Sequence, residues 1–528
     1  MKTKIMKILI SAFFIALYAA SQAFCAMAPT TEVALTGEVK VKTEELLTRE
    51  VLVDMVKPVA TAEVPLKNSI GEASANEDIA KLVARIKSGN KLQEENLPNG
   101  IHIVFKQNTA SDMIVVRLVS RAGSAFETPA ENGISTLMFE LLKKGNAKMS
   151  AEQIAKSIEM TGATFGAEVS KLEGSLELVS TLKSFEKNFD VFSECVNTPT
   201  FPQAEVEKEK QFLMAAIKAN NDKISEACSK LFYLTMFAGH PYALHQAGTI
   251  ESVAKITRNQ VVNWHKTIFT PDNMTFVVVG NTDYETVKQA ISKRFGAIKP
   301  AQKPAFVFAE FDKRVAAGAK PPESPKEVRE LKDKAQCYIF MGFMTPGVES
   351  PDYGALKMIT TIMGSGMSSR LFHNLRDKES LAYEITSYYQ TLRGNSALVL
   401  LMGTRKENFE KAIASLKREV ENMQKEMVSE EEYMRVKNKL VGNYAISRNT
   451  MQQQAQFIGT WVALGLGASF EDKYLENVLA PTRADIQKAA QKYFDLNKLT
   501  LAVIYPSEKK AEDPKGETNP AKGKKNKK

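Results

Sequence analysis

The chain has 528 residues, which is too long for one hydrophobic core, so two to four domains are expected. Hydrophobic residues make up 44% and charged residues 25%, the usual balance of a soluble globular protein. The formal net charge of +9 comes mostly from three lysines near the N-terminus and from a C-terminal tail with eight lysines against four acids. Because no basic stripe remains between these ends, the composition argues against nucleic-acid binding.

The N-terminal segment, positions 1–23, has the pattern of a signal peptide. Three lysines precede an apolar run over residues 8–20, and residues 21–23, Ser-Gln-Ala, form a small-x-small cleavage site. The run is shorter than the roughly 20 residues of a membrane helix, so no transmembrane span is expected. We therefore expect an exported protein, periplasmic if the source is a Gram-negative bacterium. Cys25 leaves lipidation open, although bulky Phe24 stands where a lipidation signal needs a small residue.

Residues 24–95 contain few aromatic residues and no strong strand pattern, so they are predicted to be an extension or linker. A first domain is predicted over residues 96–298, beginning with a strand at 101–106 that follows a Pro-Asn-Gly turn. Apolar periodicity predicts the elements that come next. They are strands at 113–122, 164–169 and 174–181, and helices at 133–143, 151–160, 185–196, 203–220 and 225–238.

An internal repeat indicates how the chain is organised. Two landmarks recur later in the chain, and their offsets differ by a single position. One is a Thr-Arg pair that opens a helix before a strand, and the other is a Phe-Glu-Lys triplet that opens a helix before an acidic helix. They are Thr257-Arg258 with Thr482-Arg483, and residues 185–187 with residues 409–411. Two landmarks with almost the same offset predict a duplicated domain.

The duplication divides the chain into two homologous halves. Residues 299–334 are rich in proline and lysine and are predicted to be the linker between them. Residues 335–506 then form the second domain, and the lysine-rich tail over residues 507–528 is predicted to be disordered. Each half orders strands, helices, paired strands and more helices, which predicts the α+β class. Helices would cover a mostly antiparallel sheet in each half, giving two α/β-sandwich-like units.

The most informative segment covers residues 131–145, ENGISTLMFELLKKG, where a glycine and a Lys-Gly step flank a helical pattern. It resembles the inverted zinc-binding signature of the pitrilysin and insulinase family, in which a Gly-Ile/Leu-Ala lead runs into His-x-x-Glu-His and ends in Lys-Gly. Alignment without a gap places Thr136 and Glu140 at the two histidine positions and Phe139 at the position of the catalytic glutamate. Threonine is a poor zinc ligand, and phenylalanine neither binds metal nor accepts a proton.

The same resemblance implies a third zinc ligand, a glutamate in a later acidic helix. Residues 207–210, Glu-Lys-Glu-Lys, keep that helix in register, and counting the family's spacing from Glu140 leads to Ala216. Glu209 matches a supporting carboxylate of the family, but without a metal it is expected to be a solvated helix residue. No two of the five histidines are three or four residues apart. All ligand positions are thus degenerate, and no metal is expected in this chain.

A second resemblance lies in residues 364–383, GSGMSSRLFHNLRDKESLAY. It is similar to the family's C-terminal signature, a Gly/Ser-rich turn that opens a helix and precedes an arginine and a tyrosine seven residues apart. Arg376 and Tyr383 hold those positions, and the resemblance implies that they bind the substrate backbone and stabilise the oxyanion. Taken alone, the arginine also fits a solvated helix residue and the tyrosine a packed strand residue. Because the helix is predicted to end near residue 380, the pair is expected to meet by turning back.

The turn at the start of this segment has two interpretations. Gly364 and Gly366 permit a close approach of backbone, so these glycines and Ser368 are expected to contact the substrate. The turn also fits a simple helix N-cap made by Ser368 or Ser369. The resemblance to the family extends over residues 97–506 and favours the functional interpretation of Arg376 and Tyr383.

Some members of the family divide the active site between two chains, as in mitochondrial processing peptidase-like enzymes and bacterial two-subunit periplasmic peptidases. The resemblance therefore implies a zinc-less subunit, inactive alone, whose two halves form half of a clamshell around an unfolded peptide. Its partner is expected to carry His-x-x-Glu-His and the zinc. One alternative is a non-enzymatic peptide-binding or scaffold protein of the same fold. Another is an independently active peptidase that uses displaced ligands such as Glu140.

Overall fold

The computed structural model describes residues 91–300, 306–334 and 336–507, together with scattered positions between 79 and 89. The predicted signal peptide, Cys25, most of the predicted N-terminal extension and the tail beyond residue 507 lie outside the described residues. Within the described ranges, the structure contains no helix with the length and apolar character needed to cross a membrane.

The first half of the chain is built on a six-stranded sheet. Its strands are β1 (Leu92–Asn96), β2 (His102–Gln107), β3 (Met113–Arg121), β4 (Thr164–Val169), β5 (Glu173–Thr181) and β6 (Thr275–Gly280). Its helices are α1 (Ile134–Leu141), α2 (Ala151–Glu159), α3 (Phe185–Asn197), α4 (Gln203–Asp222), α5 (Ile224–Met236), α6 (Ile250–Lys255), α7 (Arg258–Ile268) and α8 (Tyr284–Phe295). The strand order is β1-β2-β6-β3-β5-β4, and β2 and β6 are the parallel pair. β6 is buried along its whole length, which explains its continuous apolar sequence.

The second half of the chain is built on a five-stranded sheet. Its strands are β7 (Lys326–Lys332), β8 (Gln336–Pro346), β9 (Glu384–Tyr389), β10 (Asn395–Arg405) and β11 (Thr500–Pro506). Its helices are α9 (Phe306–Ala317), α10 (Tyr353–Gly364), α11 (Phe409–Lys425), α12 (Glu430–Ile446), α13 (Met451–Ala463), α14 (Phe470–Leu479) and α15 (Arg483–Tyr493), with a π-helix at Phe372–Lys378. The strand order is β7-β11-β8-β10-β9, and β7 and β11 are the parallel pair.

The two sheets have the same topology. When β1 is set aside, the order β2-β6-β3-β5-β4 matches β7-β11-β8-β10-β9 strand for strand. β2 runs parallel to β6 in the first sheet, as β7 does to β11 in the second. All other neighbouring strands in these two orders are antiparallel. The predicted α+β class with two homologous, mostly antiparallel halves is therefore confirmed.

The repeated Thr-Arg landmark has the same structural task in both halves. Thr257 caps α7 and Thr482 caps α15, each accepting a hydrogen bond from the backbone N–H three residues later in a capping box. The arginine that follows turns back to the loop before an acidic helix. Arg258 donates to the carbonyl oxygen of Phe201 ahead of α4, and Arg483 donates to that of Val428 ahead of α12. The landmark recurs because it secures equivalent loops.

Each sheet is covered on one face by a helix from the other half. Val119 and the other valines on one face of the first sheet pack against α13, which belongs to the second half. α5 of the first half lies on the second sheet, where the Cys228 thiol donates to the carbonyl oxygens of Tyr338 and Ala502. Gly342 of β8 leaves the space that the Phe232 ring of α5 fills. Because α5 and α13 are equivalent in the duplication, the two halves exchange corresponding helices.

Two segments that the sequence assigned to linkers contribute strands. β1 begins within the predicted extension over residues 24–95, ends one residue beyond it and pairs with β2. The predicted linker over residues 299–334 contains α9, in which Phe308 and Phe311 are buried, and β7, which pairs with β11. Both strands lie at sheet edges and have mostly exposed, charged residues, so they lack the apolar alternation by which strands are recognised.

Candidate functional site

The N-terminus of α1 is fixed by a buried carboxylate. Glu127 accepts hydrogen bonds from the backbone N–H groups of Gly133 at 2.7 Å and Ser135 at 2.9 Å, and from the Asn132 side chain at 2.8 Å. Burial raises the pKa of Glu127, while these hydrogen bonds oppose the rise. Gly133 has a φ of 99°, which favours glycine. The N-terminal end of α1 is therefore fixed by residues that do not stand at the family's zinc-ligand positions.

A loop covers the same end of α1. The Thr136 hydroxyl, at the first histidine position, donates to the carbonyl oxygen of Gln246 at 2.7 Å. The Lys171 ammonium donates to the carbonyl oxygens of Tyr242 and Leu244 at 2.9 and 2.7 Å, and burial lowers its pKa to about 8. Thr136 thus serves as a structural hydrogen-bond donor to this loop.

Phe139, at the position of the catalytic glutamate, belongs to the core. Its side chain is fully buried, and its ring lies 5.5 Å from the ring of Phe269, centroid to centroid. Gly174 of β5 makes room for it, since a Cβ at that position would overlap the Phe139 ring. A carboxylate at residue 139 would be buried among apolar groups, which is costly without a partner.

The two remaining ligand positions, residues 140 and 216, offer no free metal-binding side chain. Glu140, at the second histidine position, forms an ion pair with Lys143 at 2.8 Å. Ala216, at the third position, is exposed on α4, and Glu209 on the same helix pairs with Lys144 at 3.3 Å. In the part of the chain that the structure describes, no group of three His, Cys, Asp or Glu side chains is placed to hold a metal. These residues do not fit a catalytic zinc.

The Gly/Ser turn of the second half packs closely against its neighbours. A Cβ on Gly364 would overlap the backbone of Ser387, and a Cβ on Gly366, which has a φ of 82°, would lie 2.6 Å from the Lys439 ammonium. The carbonyl oxygen of Ser368 accepts a hydrogen bond from Arg435 at 3.2 Å. The structure therefore explains Gly364 by packing and Gly366 by its positive φ, and substrate contact by this turn stays a prediction.

Arg376 lies on the π-helix that follows this turn. Asn374 anchors the segment by donating to the Glu419 carboxylate at 2.9 Å. Arg376 itself is exposed, and its guanidinium carbon lies 4.7 Å from the centroid of the Phe372 ring. The backbone then turns at Ser380, which has a φ of 53°, so the chain reverses close to where the sequence predicted.

Tyr383 lies just before the edge strand β9. Its side chain is 46% exposed, and its backbone N–H donates to the carbonyl oxygen of Gly403 at 3.0 Å. The phenol oxygen accepts a hydrogen bond from Nε of Arg405. Among the contacts of the described residues, no hydrogen bond joins Arg376 to Tyr383: Arg376 lies against Phe372, and the Tyr383 phenol is bonded to Arg405.

Sequence reasoning missed Glu127 and Arg405. Glu127 had a local signal, because an acidic residue lies shortly before the glycine that opens α1. Arg405 had none, because its contact with Tyr383 depends on the pairing of β9 with β10.

The chain was compared with known families and proteins. Residues 102–250 match the model described as Insulinase (Peptidase family M16), and residues 255–440 match the model described as Peptidase M16 inactive domain. An uncharacterized zinc protease from Rickettsia felis is 24% identical over 415 residues, which are 78% of this chain and 97% of that protein.

Solved structures with the same fold were also found. The crystal structure of a peptidase M16 inactive domain from Pseudomonas fluorescens has a TM-score of 0.71 at 20% identity, covering 79% of this chain and 98% of that one. A chain of complex III2 from Candida albicans has a TM-score of 0.66 at 18% identity, covering 79% and 96%. At these identities the likeness concerns the fold.

Proposed function

Because the chain belongs to the pitrilysin and insulinase family but has no usable zinc ligand at the family's ligand positions, we propose that it is the zinc-less subunit of a heterodimeric zinc peptidase. Its partner would carry His-x-x-Glu-His and the zinc. The proposal includes export of the chain, which rests on the signal-peptide pattern at positions 1–23.

The observation that carries the proposal is the contrast between the two signature regions. Thr136 and Phe139 are used in hydrogen bonding and core packing, so the first region has become structural. Arg376 and Tyr383 are exposed at the surface of the second half. A long cationic side chain on the surface contributes little to stability, and its retention at a family position favours a role with a ligand.

The role that we assign to this pair is to act in trans on a peptide bound at the partner's zinc. A guanidinium binds a carbonyl or an oxyanion through charge-assisted hydrogen bonds, and a phenol adds a neutral donor. Donors placed where charge develops in the transition state typically contribute about 100-fold or more to turnover. Assembly is also consistent with the fold, since one structural neighbour is a chain of complex III2.

The test is to produce the chain together with a neighbouring gene product that contains His-x-x-Glu-His. Size-exclusion chromatography, zinc analysis and cleavage of an unfolded peptide then report assembly, metal and activity. Co-elution with zinc-dependent cleavage supports the proposal. Peptide binding without cleavage, with every such partner, would instead favour the non-enzymatic alternative. Stoichiometric zinc on the isolated chain would favour the displaced-ligand peptidase.

The role of the pair is tested in the complex with Arg376→Ala and Tyr383→Phe. We expect each to lower turnover by about 100-fold or more while the elution volume stays unchanged. Lys378→Ala is the matched control, because Lys378 is an exposed cation on the same π-helix. Wild-type activity of Arg376→Ala would rule out the assigned role.

A further inference from the structure

The phenol of Tyr383 is held by a residue outside both family signatures. Nε of Arg405, at the end of β10, donates a hydrogen bond to the phenol oxygen, and the guanidinium carbon lies 5.6 Å from the centroid of the Tyr383 ring. This is the only hydrogen bond that the Arg405 side chain makes within the described residues. The guanidinium is therefore hydrogen-bonded to Tyr383, while the Glu407 carboxylate attracts it without a hydrogen bond.

The sheet fixes the two residues relative to each other. β9 and β10 are paired in register, with Glu384 opposite Gly403, and the Tyr383 N–H donates to the Gly403 carbonyl oxygen. The buried Thr404 hydroxyl donates to the carbonyl oxygen of Leu381 at 2.7 Å, which holds the chain just ahead of Tyr383. These hydrogen bonds thus hold the backbone next to Tyr383 and the backbone next to Arg405 in place.

The carboxylate next to Tyr383 in the sequence forms no hydrogen bond with Arg405. Glu384 lies opposite Gly403, and Arg405 is two residues further along β10, so Glu384 and Arg405 share one face of the sheet. Its carboxylate accepts a hydrogen bond from the Tyr338 hydroxyl of β8. The Glu384 carboxylate is thus engaged by Tyr338, and the Arg405 guanidinium bonds the Tyr383 phenol.

We propose that Arg405 is a positioning residue that orients the Tyr383 hydroxyl toward a bound peptide. A phenol oxygen that accepts a hydrogen bond from a guanidinium cannot donate back to it, because arginine has no acceptor. The phenol hydrogen must point elsewhere, and the exposed side of the ring is where a ligand would approach. The donated bond also polarises the O–H group, which strengthens it as a donor to a carbonyl or oxyanion. The inference rests on the proposed function, since it concerns the same site.

The first test is kinetic and uses the complex with the zinc-binding partner. Arg405→Ala is expected to lower kcat about 10-fold and to leave KM within about twofold, whereas Arg405→Lys keeps part of the lost rate because it retains a donor. In the Tyr383→Phe background, Arg405→Ala should have almost no further effect, because there is no hydroxyl left to orient. Lys411→Ala is the control, because Lys411 is an exposed cation on α11. An Arg405→Ala effect that persists undiminished in the Tyr383→Phe background would overturn the inference.

The second test does not depend on cleavage. 3-Fluorotyrosine is placed at residue 383 of the full chain, and its ¹⁹F resonance is compared in the presence and absence of the Arg405 side chain. Arg405→Ala should shift the resonance, and Lys411→Ala should not. No shift would show that the contact is absent, whatever the activity. If the contact is present and the Tyr383→Phe complex is fully active, the proposed function of the pair fails instead.

Discussion

The helix α1 in the first half and the segment over residues 364–383 in the second half carry the two family signatures, and they differ in where their side chains are used. In α1, Phe139 is fully buried and the Thr136 hydroxyl is bonded to a loop. In the second segment, Arg376 is exposed and Tyr383 is 46% exposed. The side chains of the first region are thus used inside the fold, whereas those of the second lie at the surface.

The comparison predicts the largest effect on stability at Phe139. Phe139→Ala should lower the free energy of unfolding by about 3–5 kcal/mol, because it leaves a cavity beside Gly174. Urea denaturation followed by circular dichroism measures the change. Phe212→Ala is the matched control, since that phenylalanine is 57% exposed. Arg376→Ala, in the other region, should change the free energy of unfolding by less than about 0.5 kcal/mol. Similar losses at Phe139 and Arg376 would contradict the comparison.

The next largest effect is expected at Glu127. Glu127→Ala leaves the N–H groups of Gly133 and Ser135 without their acceptor at the buried end of α1. The free energy of unfolding should fall by about 2–3 kcal/mol, as is usual when buried donors lose a partner. Thermal unfolding measures it, with Glu159→Ala, an exposed glutamate on α2, as the control. Equal melting temperatures for the two variants would show that the carboxylate does not hold the helix.

A smaller effect is expected at the first degenerate ligand position. Thr136→Val keeps the shape of the side chain but removes its hydrogen bond to Gln246. The loss of stability should be about 1 kcal/mol. Thr164→Val on the edge strand β4 is a suitable control, because Thr164 is exposed. If Thr136→Val were neutral in stability yet lowered the activity of the complex, residue 136 would have a functional role that we do not assign to it.

The smallest effect, essentially none, is expected for thiol reagents on the native chain. Burial raises the pKa of Cys195 and Cys337 to about 11 and that of Cys228 to about 12. Because the thiolate is the reactive form, only about one thiol in a thousand would be ionised at pH 8 for Cys195 and Cys337, and about tenfold fewer for Cys228. In a Cys25→Ser background, Ellman's reagent should therefore react only after unfolding in urea. Reaction of Cys228 in the native protein would show that α5 separates readily from the second sheet.

The sequence predicted much of the fold because most elements have a local cause. Thr257 and Thr482 form capping boxes, and the buried strands are continuous apolar runs. β1 and β7 escaped prediction because edge strands with exposed charged residues owe their conformation to pairing with a neighbour. The sequence also did not predict that α5 and α13 are exchanged between the halves, because an apolar helix face does not specify which sheet it covers.

The candidate site was only partly accessible to sequence reasoning. The degenerate positions 136, 139, 140 and 216 follow from counting along the chain, but the burial of Phe139 depends on the space left by Gly174 in another element. The π-helix that carries Arg376 is stabilised by a tertiary hydrogen bond from Asn374 to Glu419, which no local pattern reveals. Arg405 reaches Tyr383 through strand pairing, again a non-local effect.

The exchange of α5 and α13 between the halves has a consequence for biosynthesis. The first sheet is complete once β6 has left the ribosome at Gly280, yet the helix that covers one of its faces begins only at Met451. Until then the valines of that face are exposed to water. Such long-range closure is slow and leaves aggregation-prone surface in the nascent chain. Neither half is therefore expected to be a stable fragment on its own.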